Sequence, residues 1–366
     1  MSSGPILVLA GGTGGHVYPA LAVAELLQHE SHDIVWLGTR AGLESRIVPA
    51  AGIRMEWISV SGLRGKGVIA GIFAPFRLLL ALTQSLRLMI RHRPAAVLGM
   101  GGFASGPGGL AAWMLRRPLV IHEQNAIAGL TNRLLARLAR VVLQAFPGSF
   151  PASVNAETVG NPVRAAITAL EDPELRYAER EGPLHLLILG GSLGALALNR
   201  IVPAALALLP DDLQPVVRHQ AGERTIEEAR SAYQAHDIEV QLQPFIEDMA
   251  EAYAWADLVV CRAGALTVAE LSAAGLPAIF VPYPFAVDDH QTANARPMTD
   301  AGAAALLPEN ELSDESLACL LKNWLKSRNE LLARARKSRA LAHPDALRRI
   351  ATCCMEAAGE AAGATT

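Results

Sequence analysis

The chain has 366 residues, enough for two domains of ordinary size. Apolar residues make up 51% of it, charged residues 18% and aromatic residues only 5%, which fits an α/β protein of Ala/Leu-rich helices and Val/Ile-rich strands. A net charge of −3 leaves no global basic field to draw nucleic acid, and Cys261, Cys319, Cys353 and Cys354 lack metal-ligand spacing, so reduced thiols in a cytoplasmic protein are expected.

No basic segment precedes the first strand as in a signal peptide, and no apolar run reaches the ~20 residues of a spanning helix. That strand, Ile6–Ala10, runs directly into Gly11-Gly12-Thr13-Gly14-Gly15-His16. Val17–Leu27 then carries apolar residues at helical spacing, so the order is strand, glycine-rich turn, helix. Such a turn leaves backbone N–H groups at a helix N-terminus, where anionic groups bind, and its glycines let a ligand approach the backbone closely. The plainer alternative is a tight turn with no ligand. A dinucleotide-binding turn fits poorly: G-x-G-x-x-G begun at Gly12 would need glycine at Val17. The second strand, Asp33–Leu37, also ends in Gly38-Thr39-Arg40, with no acid for a ribose. No P-loop occurs.

Further strands are expected at Ala95–Gly99, Pro118–Ile121 and Val141–Gln144, with helices such as Ala20–Gln28 and Leu78–Ile90 between them. This alternation predicts a parallel, doubly wound sheet. Within residues 64–93, the apolar run Val68–Phe76 is surrounded by Arg64, Lys66, Arg77, Arg87, Arg91 and Arg93. The pattern suits docking to an anionic bilayer surface, the alternative being a core-facing helix with a solvated basic side. Phe146–Pro151 and Gly160-Asn161-Pro162 bracket a turn-rich stretch read as an inter-domain linker.

The second half begins like the first: strand Leu184–Leu189, turn Gly190–Ala195, helix Leu196–Leu209. Strands follow at Pro215–His219, Glu239–Leu242, Leu258–Cys261 and Ala278–Val281, and a last helical stretch covers Pro344–Ala357. Two similar α/β domains are expected to face a shared cleft at their strand ends. After Leu258–Cys261, the segment Arg262–Glu270 again places a helix N-terminus at a strand end, suited to a diphosphate. Glu270 lies a turn further on, where it could hold a ribose diol; the alternative is a capping box of Thr267 and Glu270.

These segments together resemble the MurG family of bacterial peptidoglycan N-acetylglucosaminyltransferases, which have the GT-B fold. The resemblance rests on Gly11–His16, Gly99–Phe103 with Ser105–Gly109, His122-Glu123-Gln124-Asn125, Gly160–Arg164, Gly190–Ala195 and Gly264–Glu270, in the family's order over nearly the whole chain. It implies an inverting transfer of N-acetylglucosamine from UDP-N-acetylglucosamine to the 4-hydroxyl of the muramoyl-pentapeptide of lipid I, giving lipid II for peptidoglycan synthesis, cell shape and division. It implies an acceptor- and membrane-associating domain over residues 1–162, with a helix at 342–358 packed back on it, and a donor domain over 163–341. The enzyme would sit peripherally on the cytoplasmic face of the inner membrane, with Ile72, Phe73, Phe76 and Arg77 in its membrane patch.

By the same resemblance the donor contacts are Thr13, Gly14, Gly15, Asn125, Arg164, Ser192, Ile246, Ala265, Leu266, Thr267, Val268, Ala269, Glu270 and Gln291. Ile246 would present its backbone to uracil, Glu270 would hold the ribose, and Gln291 would read sugar hydroxyls. Asp288–Asn294 departs from the family pattern, being one residue shorter and having a single glutamine. No cofactor is implied, and without an Asp-x-Asp triplet no metal is expected at the diphosphate. Helix N-termini, Ser192 and Arg164 could stabilise that leaving group. The catalytic base is expected to be His16 or Glu123; otherwise His16 is a hydrogen-bonded turn residue and Glu123 a partner of His122. A UDP-N-acetylglucosamine epimerase of the same fold is the alternative activity. An NAD-dependent oxidoreductase and a non-catalytic sugar-nucleotide binding module are more distant readings.

Overall fold

The computed structural model describes residues 4–60, 74–178, 180–191, 194–284 and 289–363. The chain divides into two compact units, Met1–Pro162 with Asp345–Thr366, and Val163–Pro344.

The first unit carries strands β1 (Ile6–Leu9), β2 (Ile34–Gly38), β3 (Arg54–Trp57), β4 (Ala96–Gly99), β5 (Leu119–Glu123), β6 (Val141–Gln144) and β7 (Glu157–Thr158). They form one parallel sheet in the order β3-β2-β1-β4-β5-β6-β7. Its helices are α1 (Gly14–His29), α2 (Glu44–Ala50), α3 (Ala74–His92), α4 (Ser105–Met114) and α5 (Leu130–Leu135). Central β1 is apolar throughout and wholly buried because helices cover both faces of the sheet. The strand order reverses between β1 and β4, which pair with Leu9 opposite Gly99. Ligand sites of open α/β sheets lie at such a switch point, beyond the carboxyl ends of the strands.

The second unit repeats the plan. Its strands are β8 (His185–Leu189), β9 (Val216–Gln220), β10 (Gln241–Gln243), β11 (Leu258–Cys261), β12 (Ala278–Phe280) and β13 (Ala304–Leu306). All are parallel, in the order β10-β9-β8-β11-β12-β13, and the switch point lies between β8 and β11. The helices are α6 (Ala165–Thr168), α7 (Pro173–Ala178), α8 (Leu196–Ala207), α9 (Ile226–Ala235), α10 (Met249–Trp255), α11 (Ala265–Ala274), α12 (His290–Asp300), α13 (Asp314–Leu325) and α14 (Arg328–Arg339).

The last helix, α15 (Ala346–Gly363), packs on the first unit. Ile350, Ala351, Cys354 and Ala357 are buried with Ile6, Val17 and Val23, and Arg349 grips Glu157 through two hydrogen bonds of 2.7 and 2.9 Å. The turn-rich 146–162 stretch also belongs to the first unit rather than forming a free linker. Phe146, Phe150 and Val159 are buried in it, and β7 extends its sheet.

Candidate active site

Helix α1 starts earlier than its apolar spacing suggests. Gly14 and Gly15 are its first two residues and Thr13 its N-cap, so His16 stands in the first helical turn rather than in the glycine loop. No side chain caps α1, and no acidic residue lies in its first turn. The same holds for α8 after β8 and for α11 after β11. By contrast, α13 and α14 begin with Ser313 and Ser327 side-chain caps and with acidic residues in the first turn. A missing cap costs about 1 kcal/mol. That cost falls on helix ends beside the two switch points, where an anionic ligand can take the place of a cap. No Thr267–Glu270 capping box forms: the N-cap of α11 is Gly264, and Thr267 is already helical.

The glycine turn after β1 packs against the one after β4. A Cβ on Gly102 would come within 2.1 Å of the Gly11 carbonyl oxygen, and one on Gly101 within 2.7 Å of His16 Nδ1. Both glycines have φ near +90° (93° and 83°). Only glycine fits there, and its absence of side chain makes the bed on which the His16 imidazole rests. Beneath the turn lies an acid that the sequence reading passed over. Glu44 is fully buried, accepting from Gly12 N–H at 3.0 Å and from Thr39 N–H and Oγ1 at 2.9 and 2.8 Å. An acid therefore does stand near the end of β2, but its bonds are taken up in supporting the turn.

At the end of β5, His122, Glu123 and Gln124 are all buried. Glu123 Oε1 accepts from Asn125 N–H and Nδ2 at 3.0 and 3.2 Å, and Oε2 from Gly129 N–H and Asn132 Nδ2 at 3.1 and 2.9 Å. Four donors occupy the carboxylate, which anchors the loop leading to α5. His122 Nε2 is 2.9 Å from the Gly160 carbonyl, and burial lowers its pKa to about 4. Gln124 lies between the two histidines, with Nε2 3.2 Å from His122 Nδ1 and Oε1 3.0 Å from His16 Nδ1.

In the second unit the charged centre is Glu270. Its Oε1 accepts from Arg164 Nη2 at 3.1 Å and its Oε2 from Tyr253 Oη at 2.9 Å. Burial pushes the Glu270 carboxyl up from its ordinary range, against the opposing pull of Arg164 and Tyr253. Arg164 is the half-exposed N-cap of α6 and rests on the carboxylate within α11, rather than at that helix's first turn. Ile246 is buried and its N–H donates to Gln220 Oε1 at 3.2 Å. Gln291, at the start of α12, accepts from Tyr283 N–H at 2.8 Å. Ser192, Asp288, Ile72 and Phe73 lie outside the described residues. Phe76 and Arg77, on α3, are exposed, Phe76 by 70%.

Two family models match this chain: the glycosyltransferase family 28 N-terminal domain over residues 6–144 and its C-terminal domain over residues 185–350. The chain belongs to glycosyltransferase family 28. Among its relatives is the UDP-N-acetylglucosamine–N-acetylmuramyl-(pentapeptide) pyrophosphoryl-undecaprenol N-acetylglucosamine transferase of Alkalilimnicola ehrlichii, 61% identical, with 97% of this chain and 99% of that one covered. The transferase of the same name from Nitrosococcus oceani is 56% identical, over 96% of this chain and 98% of the relative. The crystal structure of Acinetobacter baumannii MurG superposes with a TM-score of 0.85 at 42% identity, covering 96% of this chain and 99% of that one. A UDP-N-acetylglucosamine 2-epimerase superposes with a TM-score of 0.63 over 95% of both chains, but at 16% identity it shows the fold alone.

Within this family 28 scaffold, the structure adds four residues that sequence reasoning left without a role. Glu44 reaches the Gly12 turn across 32 residues, and Tyr253 meets Glu270 across 17. Gln220 meets Ile246 across 26 residues. Gln124 stands inside the His122–Asn125 motif, where its position alone marked it.

Proposed function

We infer that this chain transfers N-acetylglucosamine from UDP-N-acetylglucosamine to the muramoyl 4-hydroxyl of lipid I, with inversion at the sugar C1, to give lipid II. The observation that carries this reading is the 61% identity to a transferase of that name over 97% of the chain. The epimerase alternative has only a likeness of fold in its favour.

The second unit holds the donor. Glu270 takes the ribose diol, and Arg164 and Tyr253 orient its two oxygens. Ile246 meets the uracil with its backbone, and Gln291 takes sugar hydroxyls. The first turn of α11 (Ala265, Leu266 and Thr267), followed by Val268 and Ala269, lies along the diphosphate. The uncapped N-terminus of α8, which Ser192 precedes in the sequence, supplies a further dipole to stabilise it.

The acceptor oxygen attacks C1 as the C1–O bond to UDP breaks, and the bonding pair departs with the diphosphate. The acceptor proton goes to His16. The His16 side chain makes one hydrogen bond among the described residues, through Nδ1, which leaves Nε2 for the acceptor proton. Glu123, with four donors already on its carboxylate, is the poorer base.

Helix α3 supports a peripheral attachment to an anionic membrane surface. Ala81, Ser85 and Met89 are buried along one stripe, while Phe76, Leu79, Leu80 and Ile90 are exposed beside Arg77, Arg87 and Arg91. Among the described residues no helix is long and apolar enough to cross a membrane.

Incubating the enzyme with labelled UDP-N-acetylglucosamine and a short-chain lipid I analogue tests the reading. Label in a disaccharide–pentapeptide product is expected. Release of free sugar or of an epimer, with none in the lipid, would overturn it. His16→Ala is expected to lower kcat by about 10²–10⁴-fold with UDP affinity little changed. A near-normal kcat would remove His16 as the base.

A further inference from the structure

We propose that Gln124 is a positioning residue that holds His16 as its Nδ1–H tautomer, so that the Nε2 lone pair is the one that takes the acceptor proton. The proposal rests on the reading of His16 as base and adds how the fold chooses the basic nitrogen.

Gly160 C=O can only accept, so His122 Nε2, 2.9 Å away, carries a proton. His122 is fully buried and stays neutral above about pH 4, which leaves its Nδ1 bare. Gln124 Nε2 faces that bare Nδ1 at 3.2 Å and the His122 carbonyl at 3.3 Å, with Met100 Sδ also on that side at 4.0 Å. All three are acceptors. Turning the amide over would put its oxygen against their lone pairs, so the amide orientation is determined. Oε1 must then point the other way, 3.0 Å from His16 Nδ1. An amide oxygen only accepts, so His16 Nδ1 bears the proton and Nε2 bears the lone pair.

The order of donation is His16 Nδ1–H to Gln124, Gln124 to His122, and His122 Nε2–H to Gly160. Free imidazole side chains in water favour the opposite, Nε2–H tautomer, so the relay reverses an intrinsic preference. Its middle member is neutral, so it orients the ring without the charge a carboxylate would bring. When Nε2 takes the proton, the imidazolium keeps the same Nδ1–H bond and no partner has to reorganise. The bed of Gly101 holds the ring where this bond can form.

Nitrogen-15 NMR of protein labelled at its histidine rings tests the proposal, with His16→Gln used to assign the His16 signals. At neutral pH, wild-type His16 is expected to be protonated at Nδ1 and bare at Nε2. Gln124→Met removes both amide groups at similar volume. It should move His16 toward the free-imidazole tautomer mixture and lower kcat by about 10²-fold, with UDP affinity unchanged. Gln124→Glu keeps an oxygen facing His16 and, with its other oxygen protonated so that it donates to His122 Nδ1, should restore the Nδ1–H tautomer and much of kcat. An Nε2–H tautomer in the wild-type enzyme, or a Met variant that keeps both tautomer and kcat, would overturn the proposal. The spectra do not depend on turnover. If the tautomer responds as expected while His16→Ala stays active, the relay stands and the assignment of the base falls.

Discussion

Glu123 and Glu270 are both glutamates near the carboxyl ends of parallel strands, one in each unit, and both are largely shielded from water. They are held in opposite ways. Glu123 meets four N–H donors from its own loop, all neutral. Glu270 meets one hydroxyl and one guanidinium, and the guanidinium belongs to a half-exposed arginine that is free to exchange partners. A carboxylate has about four lone-pair sites. Glu123 fills them with scaffold, whereas Glu270 uses two of them among the described residues, and burial raises its pKa. Burial alone therefore does not mark a functional acid; unused acceptor capacity does.

The largest expected effect that would break this contrast is at Glu123. Glu123→Ala leaves four donors without their acceptor and should cost about 3 kcal/mol or more of stability, read by urea unfolding. If Glu123→Gln instead kept full stability and lost kcat, Glu123 would be the base and the contrast would fail. Glu270→Ala should do the reverse. Unfolding should change little, and calorimetric UDP affinity should drop by about 1.5–3 kcal/mol, the value of hydrogen bonds to a charged group. Unchanged UDP affinity would remove Glu270 from the donor site. Tyr253→Phe sharpens the comparison, because it frees one Glu270 oxygen without touching charge. A loss of about 1 kcal/mol in UDP affinity is expected, with kcat unaltered.

The smallest effect is one of pH. Burial raises the Glu270 pKa in the folded chain, so the folded state binds more protons than the unfolded one just above the ordinary carboxylate range. The carboxylate's cost to stability is absent below that range, appears as pH rises through it, and is complete above the folded pKa. Glu270→Gln should therefore make the ligand-free protein slightly more stable at pH 7, and the gain should vanish by about pH 4, below the unfolded carboxylate pKa. A gain that grew on acidification would contradict the assigned cause.

The periodicity of apolar residues was enough to determine two parallel, doubly wound sheets. Buried strands such as Ile6–Leu9 and Leu258–Cys261 must be apolar along their whole length, and that is visible locally. Three of the four edge strands escaped it: Arg54–Trp57 is part-exposed, Glu157–Thr158 is two residues long, and Ala304–Leu306 is weak in β-branched residues. The glycine turns and the motif residues were equally legible, since a turn needs particular residue types at fixed spacing. What each buried polar group does was decided only by the tertiary structure. Glu123 and Glu270 are the same residue type, and no local signal told the loop anchor from the acid proposed to hold the ribose. Their roles differ because of which donors the folded chain brings to them: Asn125 and Gly129 of the adjoining loop with Asn132 of α5 in one case, and Arg164 and Tyr253 from 106 and 17 residues away in the other. The same holds for His16, whose basic nitrogen is selected by the Gly160 carbonyl through two intervening side chains. Hydrogen bonds act over about 3 Å in space and carry no trace of separation along the chain. For that reason the sequence by itself determined the fold, and only the tertiary structure decided which donors each buried polar group meets.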